Sequence, residues 1–418
     1  MKRLEMPKIK FYEPFLWVYF AWYYFPIIRV FFMSSTYNLI FFGILLGGCL
    51  FLGVEMLAKA KKLSVRFSPL VPVLLYFAFF AFLCVCEIGT ANRHIRVSFS
   101  FWGTLVIFYL TGNYPDVRKR LAKLMLAMFV VTTVTSIFGV LLNPNAARIL
   151  TFASNDLEED IQIRLLNIGG LALFQGLVIL VPIFQSFYCN NRHRTLSLIF
   201  IILVFVGILG ASFSISLIMF FVALLLGQIA NGSSKKNILI MSAITVCVFL
   251  IPWEEFLYFL AEHIENEKYQ MRFISLANSL GSGSAQGNLE SRLDVYAASL
   301  NTFLSNPLGV GPEYTYINYQ NGIGYHSQIL DDLARYGILA IAFYASFFVG
   351  YYRLLRAQWE KINLKQIAWP VTLVYFLFLV LNLGFTSEHE SVLLLFLVPV
   401  MPELMEKGGK QKELLGNG

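Results

Sequence analysis

Charged residues are scarce in this sequence. They make up 14% of its 418 residues, whereas 57% are hydrophobic. Soluble globular proteins carry about 25% charged residues. Apolar runs recur along the chain, and a run of about 20 residues is long enough to cross a hydrocarbon core of about 30 Å. The composition therefore excludes an ordinary soluble domain and predicts an all-α, polytopic membrane protein.

Cysteines are also few, and their positions argue against a disulfide framework. Four of the five, Cys49, Cys84, Cys86 and Cys247, fall within apolar runs, and Cys189 falls at the end of another. This placement favours small packing residues over redox or metal sites. The N-terminus shows no short apolar core with a small-residue cleavage site, so we expect no cleaved signal peptide.

Several motifs of soluble enzymes are absent from the sequence. It contains no Gly-x-x-x-x-Gly-Lys-Ser/Thr, no His-Glu-x-x-His and no Gly-x-Ser-x-Gly. The acidic run at residues 156–160 matches no cation-binding loop that we can name, and a solvated acidic face is the favoured interpretation. We therefore expect no metal and no cofactor, and any reaction must draw its energy from the substrate.

Hydropathy predicts twelve spans and one long polar segment. The segment covers residues 253–335, after nine spans in residues 1–252 and before three spans and a tail in residues 336–418. Long structured loops are where binding and catalysis concentrate. The predicted spans lie near residues 14–33, 37–57, 69–87, 98–112, 121–143, 165–188, 196–210, 213–230, 238–252, 336–353, 366–385 and 391–405.

Positive charge predicts the orientation of these spans. If the N-terminus is inside, cytoplasmic segments hold 23 Lys and Arg and external segments hold eight. Because basic loops are retained in the cytoplasm, we predict that both termini are cytoplasmic and that residues 253–335 are external. Topology accounts for the net charge of +7, so we expect no nucleic-acid partner.

Arginine dominates the external basic residues. Seven of the eight are Arg, whereas the cytoplasmic segments hold 15 Lys and 8 Arg. A guanidinium can bind phosphate through two parallel hydrogen bonds, so the count favours an external anionic ligand; local ion pairs are the alternative. The external arginines are Arg93, Arg96, Arg148, Arg164, Arg272, Arg292 and Arg335.

One external histidine has a distinctive neighbourhood. His326 precedes Asp331, Asp332 and Arg335 in a predicted helix that leads into the tenth span. A histidine can accept a hydroxyl proton near neutral pH. From the residues alone we favour a histidine that only caps or hydrogen-bonds the loop, and the i, i+4 spacing allows an Asp331–Arg335 pair. The other external candidates are His94, His263 and His389.

A further helix is predicted earlier in the polar segment. Ser291 and Asp294 have the spacing of a capping box, and the proline- and glycine-rich residues 306–312 end the helix. Its apolar stripe is formed by Leu293, Tyr296, Ala297, Leu300 and Leu304.

Four runs in this part of the chain resemble the long external loop of the bacterial O-antigen polymerase and O-antigen ligase family. In order, they are 291–296 (Ser-Arg-Leu-Asp-Val-Tyr), 306–311 (Asn-Pro-Leu-Gly-Val-Gly), 324–330 (Gly-Tyr-His-Ser-Gln-Ile-Leu) and 334–338 (Ala-Arg-Tyr-Gly-Ile). The resemblance covers residues 250–355. The His-Ser form is more similar to capsular or exopolysaccharide polymerases than to ligases.

The resemblance implies a metal-independent, inverting glycosyltransferase on the outer face of the bacterial cytoplasmic membrane. Its donor would be a glycan on undecaprenyl pyrophosphate, and its acceptor a sugar hydroxyl on a second lipid-linked repeat unit. A flippase and a chain-length regulator are the protein partners it implies. The alternatives are a ligase with another acceptor and a lipid-linked oligosaccharide flippase or exporter. Spans poor in charge argue against transport.

The resemblance also implies roles for particular residues. His326 matches the family's essential loop histidine, Arg292 matches its loop arginine, and Arg164 lies where the family has an external arginine before the sixth span. The family often has Ser-Arg between the seventh and eighth spans, but residues 211–216 (Ala-Ser-Phe-Ser-Ile-Ser) contain no arginine. We therefore expect further substrate contacts from Arg93, Arg96, Arg272, Arg335 and Tyr325.

Overall fold

A computed structural model of the chain is all-helical, with no strand among the residues that it describes. Those residues are 10–30, 99–143, 146–152, 157–211, 213–232, 253–264, 289–311, 322–382 and 388–405, with a few single positions between them. The predicted spans at 37–57, 69–87 and 238–252 lie outside these ranges. The total of twelve spans therefore stays a prediction.

The described helices follow the predicted order. They are α1 Glu13–Tyr24, α2 Pro26–Val30, α3 Phe99–Leu110, α4 Pro115–Leu142, α5 Ala146–Phe152, α6 Leu157–Leu165, α7 Leu171–Cys189, α8 Arg194–Ala211, α9 Ser214–Ala230, α10 Trp253–Glu262, α11 Leu289–Ser305, α12 Gln328–Tyr336, α13 Ile338–Glu360, α14 Ala368–Leu381, α15 Glu388–Val392 and α16 Val398–Met405.

Four of these helices, α4, α7, α8 and α13, are long and apolar enough to cross a membrane. Two shorter apolar helices cover residues 215–230 and 365–381. The helix α7 lies at the centre of the bundle, where it packs against α8, α9 and α14. The expectation of an all-helical membrane protein is thus supported.

The first and last predicted spans are interrupted. Pro26 lacks a backbone N–H and disfavours a helical residue before it, so Phe25 is extended and separates α1 from α2. Between α15 and α16 the chain forms a fully buried π-helical stretch, Leu393–Leu397. Hydropathy averages over such interruptions, which explains why both segments read as single spans in the sequence.

Ion pairs join the ends of several helices at one end of the bundle. The buried carboxylate of Glu13, at the start of α1, accepts a hydrogen bond of 2.8 Å from Nε of Arg120 in α4. Glu403, at the end of α16, lies 3.5 Å from Arg118 and 3.9 Å from Lys361. Four segments that charge counting assigns to the cytoplasm therefore meet on one side. The segments that contain Arg164 and His326 are attached to the opposite helix ends.

Candidate functional site

The polar face of α11 anchors the loop that carries His326. Ser299 Oγ accepts a hydrogen bond of 2.8 Å from the Gly324 backbone N–H. Thr302 Oγ1 accepts one of 2.6 Å from the Gly322 N–H. Both serine and threonine are buried, and Tyr296 of the same helix donates to the Leu381 carbonyl at 2.6 Å. The loop is therefore fixed to α11, which is itself fixed to the end of α14.

The turn at residues 306–311 closes the other end of the site. The backbone N–H groups of Val310 and Gly311 donate to the Ala334 and Arg335 carbonyls, each at 3.0 Å. The Ile338 N–H donates to the Pro307 carbonyl at 2.9 Å. The bonds to Ala334 and Arg335 satisfy carbonyl groups that the end of α12 would otherwise leave open. Three of the four runs that carry the family resemblance therefore meet around α12.

Ser327 begins α12 as its N-cap. Its side-chain oxygen accepts from the Leu330 N–H at 3.1 Å, which is the geometry that serine favours at a helix start. Asp331 accepts a hydrogen bond of 2.6 Å from Ser299 and one of 3.3 Å from the Ser327 N–H. The carboxylate of Asp331 therefore joins α12 to α11.

A second buried carboxylate organises the other side of α12. Asp332 accepts hydrogen bonds from Gln328 at 2.8 Å, from Tyr344 at 2.6 Å and from Arg335 Nη1 at 3.2 Å. Asp332, and not Asp331 as the i, i+4 spacing allowed, forms the ion pair with Arg335. The reason is that Asp331 faces α11, where Ser299 supplies its hydrogen bond.

Arg335 is the cation of this cluster. It is 7% exposed, and its Nε has no hydrogen-bond partner within the described part of the chain. Its guanidinium lies 5.1 Å from the centre of the Tyr325 ring, a cation–π distance. Burial lowers the pKa of Arg335, but Asp332 and other neighbours raise it by more, so the residue stays a cation.

The carboxyl of Asp331 also has a raised pKa, which in an acid favours the neutral form. Burial raises the pKa of its carboxyl, although the Ser299 hydrogen bond and the charge of Arg335 act to lower it. The two carboxylates of α12 thus differ in environment. Asp332 is directly paired with a cation, whereas Asp331 is held by neutral donors.

His326 is exposed at the edge of this buried cluster. Its Nδ1 lies 2.9 Å from the Tyr325 carbonyl oxygen, which can only accept a hydrogen bond. In the neutral imidazole this contact places the proton on Nδ1 and leaves Nε2 as the acceptor. Tyr325 has a positive φ of 56°, which is uncommon for a residue with a side chain. With this backbone conformation at Tyr325, the exposed His326 presents Nε2 outside the buried cluster of α12.

The structure brings together only some of the predicted site residues. His326, Tyr325 and Arg335 form one cluster, and Arg292 belongs to α11, one helical turn before Tyr296. The backbone of Arg292 is described, but its side chain is not. Arg93, Arg96 and Arg272 lie outside the described residues.

Arg164 lies in a separate group. It donates to Asp160 at 2.8 Å, and its helix α6 packs on α2 and α5, whereas α12 packs on α11, α13 and α14. A local ion pair, the alternative to phosphate binding, is therefore present at this arginine. No group of three or more potential metal ligands occurs among the described residues.

Sequence reasoning missed the residues that hold the site together. Ser299 and Thr302 lie outside the leucine stripe of α11, and the stripe is the stronger pattern in the sequence. The signal was their spacing, which puts both on the face opposite that stripe. Tyr344 lies in a membrane helix, and no local pattern marks it as a partner of Asp332.

In the comparisons with known proteins, no protein-family model and no curated protein matches this chain. The resemblance to the O-antigen polymerase and ligase family therefore stays a prediction, and it depends on the four runs quoted above.

Proposed function

We propose that the chain is a membrane glycosyltransferase that polymerises undecaprenyl-pyrophosphate-linked repeat units on the outer face of a bacterial cytoplasmic membrane. The supporting observation is the cluster of His326, Tyr325 and Arg335. In it an exposed imidazole directly follows the tyrosine whose ring lies against a buried guanidinium, at the end of an apolar helix bundle. The ordered runs that resemble polysaccharide polymerases supply the reaction class.

His326 acts on the acceptor in this proposal. Its Nε2 takes the proton of a sugar hydroxyl as that oxygen attacks the anomeric carbon of the donor. The bond from the anomeric carbon to the pyrophosphate oxygen breaks, and the lipid pyrophosphate leaves with the bonding electrons. Arginines stabilise the negative charge that develops on this leaving group. Arg292 and Arg335 belong to the packed unit around α12, and Arg164 and Arg272 are the further candidates.

The test supplies purified full-length protein with lipid-linked repeat units alone. We expect a ladder of products from the wild type and a loss of about 100-fold or more in rate from His326→Ala, because general base catalysis contributes about 10²–10⁴-fold. Gel electrophoresis of the extracted glycans measures both.

His263→Ala is the matched control. His263 is also exposed and also places Nδ1 against a backbone carbonyl, that of Phe259 at 2.7 Å. It should retain the ladder. Normal polymer from His326→Ala at equal protein level would refute the catalytic role, and no ladder from the wild type would favour a ligase or a transporter.

A further inference from the structure

An apolar groove runs directly beneath the candidate site. It has a volume of about 590 Å³ and lies between α13 and α14, with α12 above it. Phe348 and Phe376 face it from the two membrane helices, and Ile329 and Leu333 close it at α12. The hydroxyl of Thr372, which also lines it, already donates to the Ala368 carbonyl at 2.7 Å. The groove thus suits a hydrocarbon.

The groove opens sideways, toward the region that the bilayer would occupy. Two of its lining residues, Ile341 and Val349, are 47% and 49% exposed. Both belong to α13, which is long and apolar enough to span a membrane. Along this helix the groove extends over residues 341–352, or about 16 Å. That is about half of a hydrocarbon core of about 30 Å, the depth of one leaflet.

The upper end of the groove meets the buried charges of the site. Tyr344 lines the groove and donates to Asp332, and Asp332 in turn binds Arg335. The Nε of Arg335 is a buried donor with no hydrogen-bond partner among the described residues. A guanidinium donor of this kind suits a phosphate oxygen. A single chain in the groove would therefore carry its phosphate end to the site.

We propose that this groove holds the part of the substrate's polyprenyl chain that lies nearest the pyrophosphate, with the pyrophosphate end directed toward Arg335. This inference rests on the proposed function and adds to it the path of the lipid. Among the described residues the groove is bounded by two apolar helices, α13 and α14, which suits one chain rather than the paired chains of a phospholipid. Its closed end at α12 adjoins the cluster that contains His326.

Binding of undecaprenyl pyrophosphate without a glycan tests the groove separately from transfer. Ala345 lines the groove, and Ala345→Trp fills it. Ala342 is exposed on the same helix and does not line the groove, so Ala342→Trp is the matched control. With purified full-length protein and radiolabelled lipid, we expect Ala345→Trp to bind at least about tenfold more weakly than wild type and Ala342→Trp to bind unchanged.

Two further measurements keep the inference testable if Ala345→Trp fails to fold. A photoreactive amino acid at Val349, in the groove, should crosslink to the lipid, and one at Leu339, exposed but outside the groove, should not. Isopentenyl pyrophosphate, with the same head and a five-carbon chain that is too short to fill the groove, should compete poorly.

Unchanged binding by folded Ala345→Trp, equal crosslinking at the two positions, or equal displacement by phosphatidylglycerol would each overturn the inference. Lipid binding at the groove without any product ladder would defeat the proposed function and leave the groove intact. A ladder together with unchanged lipid binding by Ala345→Trp would refute the groove and leave the proposed function intact.

Discussion

Tyr325 is the residue whose backbone sets the position of His326. A positive φ at a residue with a side chain costs about 1–3 kcal/mol and persists only where the surroundings hold it. Here the ring of Tyr325 lies against Arg335, and the loop on its N-terminal side is bonded to α11. Strain of this kind is consistent with a functional role for the residue that follows, His326.

The carboxylate of Asp331 predicts a pH dependence of stability. Its pKa is raised by burial, so between the ordinary value of about 3.9 and the raised value the folded state binds more protons than the unfolded state. Stability is therefore lost as pH rises through this window, with a slope of at most about 1.4 kcal/mol per pH unit.

Asp331→Asn removes this titration. Thermal unfolding in detergent at a series of pH values should show a smaller fall in the midpoint for the variant than for wild type. The slope is the readout, because the variant's altered contact with the Ser327 N–H affects the midpoint at every pH. A steeper fall in Asp331→Asn would contradict the assignment.

Among the elements, α11 shows where sequence patterns succeed and where they fail. The helix and its end near residue 305 were predicted, but it begins at Leu289, so Ser291 lies inside it and is not an N-cap. Its predicted apolar stripe is largely exposed, with Leu293 at 59% and Leu304 at 64%. The face that packs carries Ser299 and Thr302, because backbone groups of the loop require hydrogen-bond partners.

The helix α10 also exposes large apolar side chains. Phe256 and Phe259 of this helix are exposed at 42% and 56%, whereas Leu257, which lies between them in sequence, is buried. The membrane helices were easier to predict, because long apolar runs leave few alternatives. Partners distant in sequence, such as Tyr344 for Asp332, have no local signal.

The turn over the end of α12 gives a prediction at this scale. Gly309 and Gly311 both have positive φ, 87° and 91°. A Cβ at Gly309 would collide with the Arg335 carbonyl, whereas a Cβ at Gly311 would meet open space. Gly311→Ala should therefore cost about 1–2 kcal/mol from backbone strain alone, and Gly309→Ala should cost more.

The thermal midpoints of the two glycine variants in detergent measure the difference. Because the turn caps α12, Gly309→Ala should also lower the proposed glycosyl transfer, while Gly311→Ala should keep most of it. Equal midpoints for the two variants would show that the turn does not pack as described.

For the molecule as a whole, the segments that charge counting assigns to one side of the membrane lie at one end of the helix bundle. Segments assigned to the cytoplasm meet through Glu13, Arg120, Arg118 and Glu403, although these residues are far apart in sequence. Hydropathy predicted the apolar helices that are described, four of which are long enough to cross a membrane, but not the interruption at Pro26. The side of the membrane on which each end lies remains a prediction.

Labelling with a membrane-impermeant maleimide tests this orientation. Cys189 is an exposed free cysteine at the end of α7 that is predicted to be cytoplasmic. Leu308, 85% exposed, lies in the turn over α12. In intact cells, Leu308→Cys in a Cys189→Ser background should react, and the wild-type Cys189 should react only after permeabilisation.

The Cys189→Ser protein alone measures background labelling of the four cysteines in predicted spans. If Cys189 reacted in intact cells and Leu308→Cys did not, the predicted topology would be wrong, and the site would lie on the cytoplasmic face.

Gly337 is the only residue between α12 and α13, and the Ile338 N–H is bonded to the Pro307 carbonyl. The connection between α12 and α13, the helix that would cross the lipid, is consequently short and rigid. A bilayer whose thickness forces α13 to tilt should therefore also move α12 and His326, and the proposed glycosyl transfer should then depend on the thickness of the surrounding lipid.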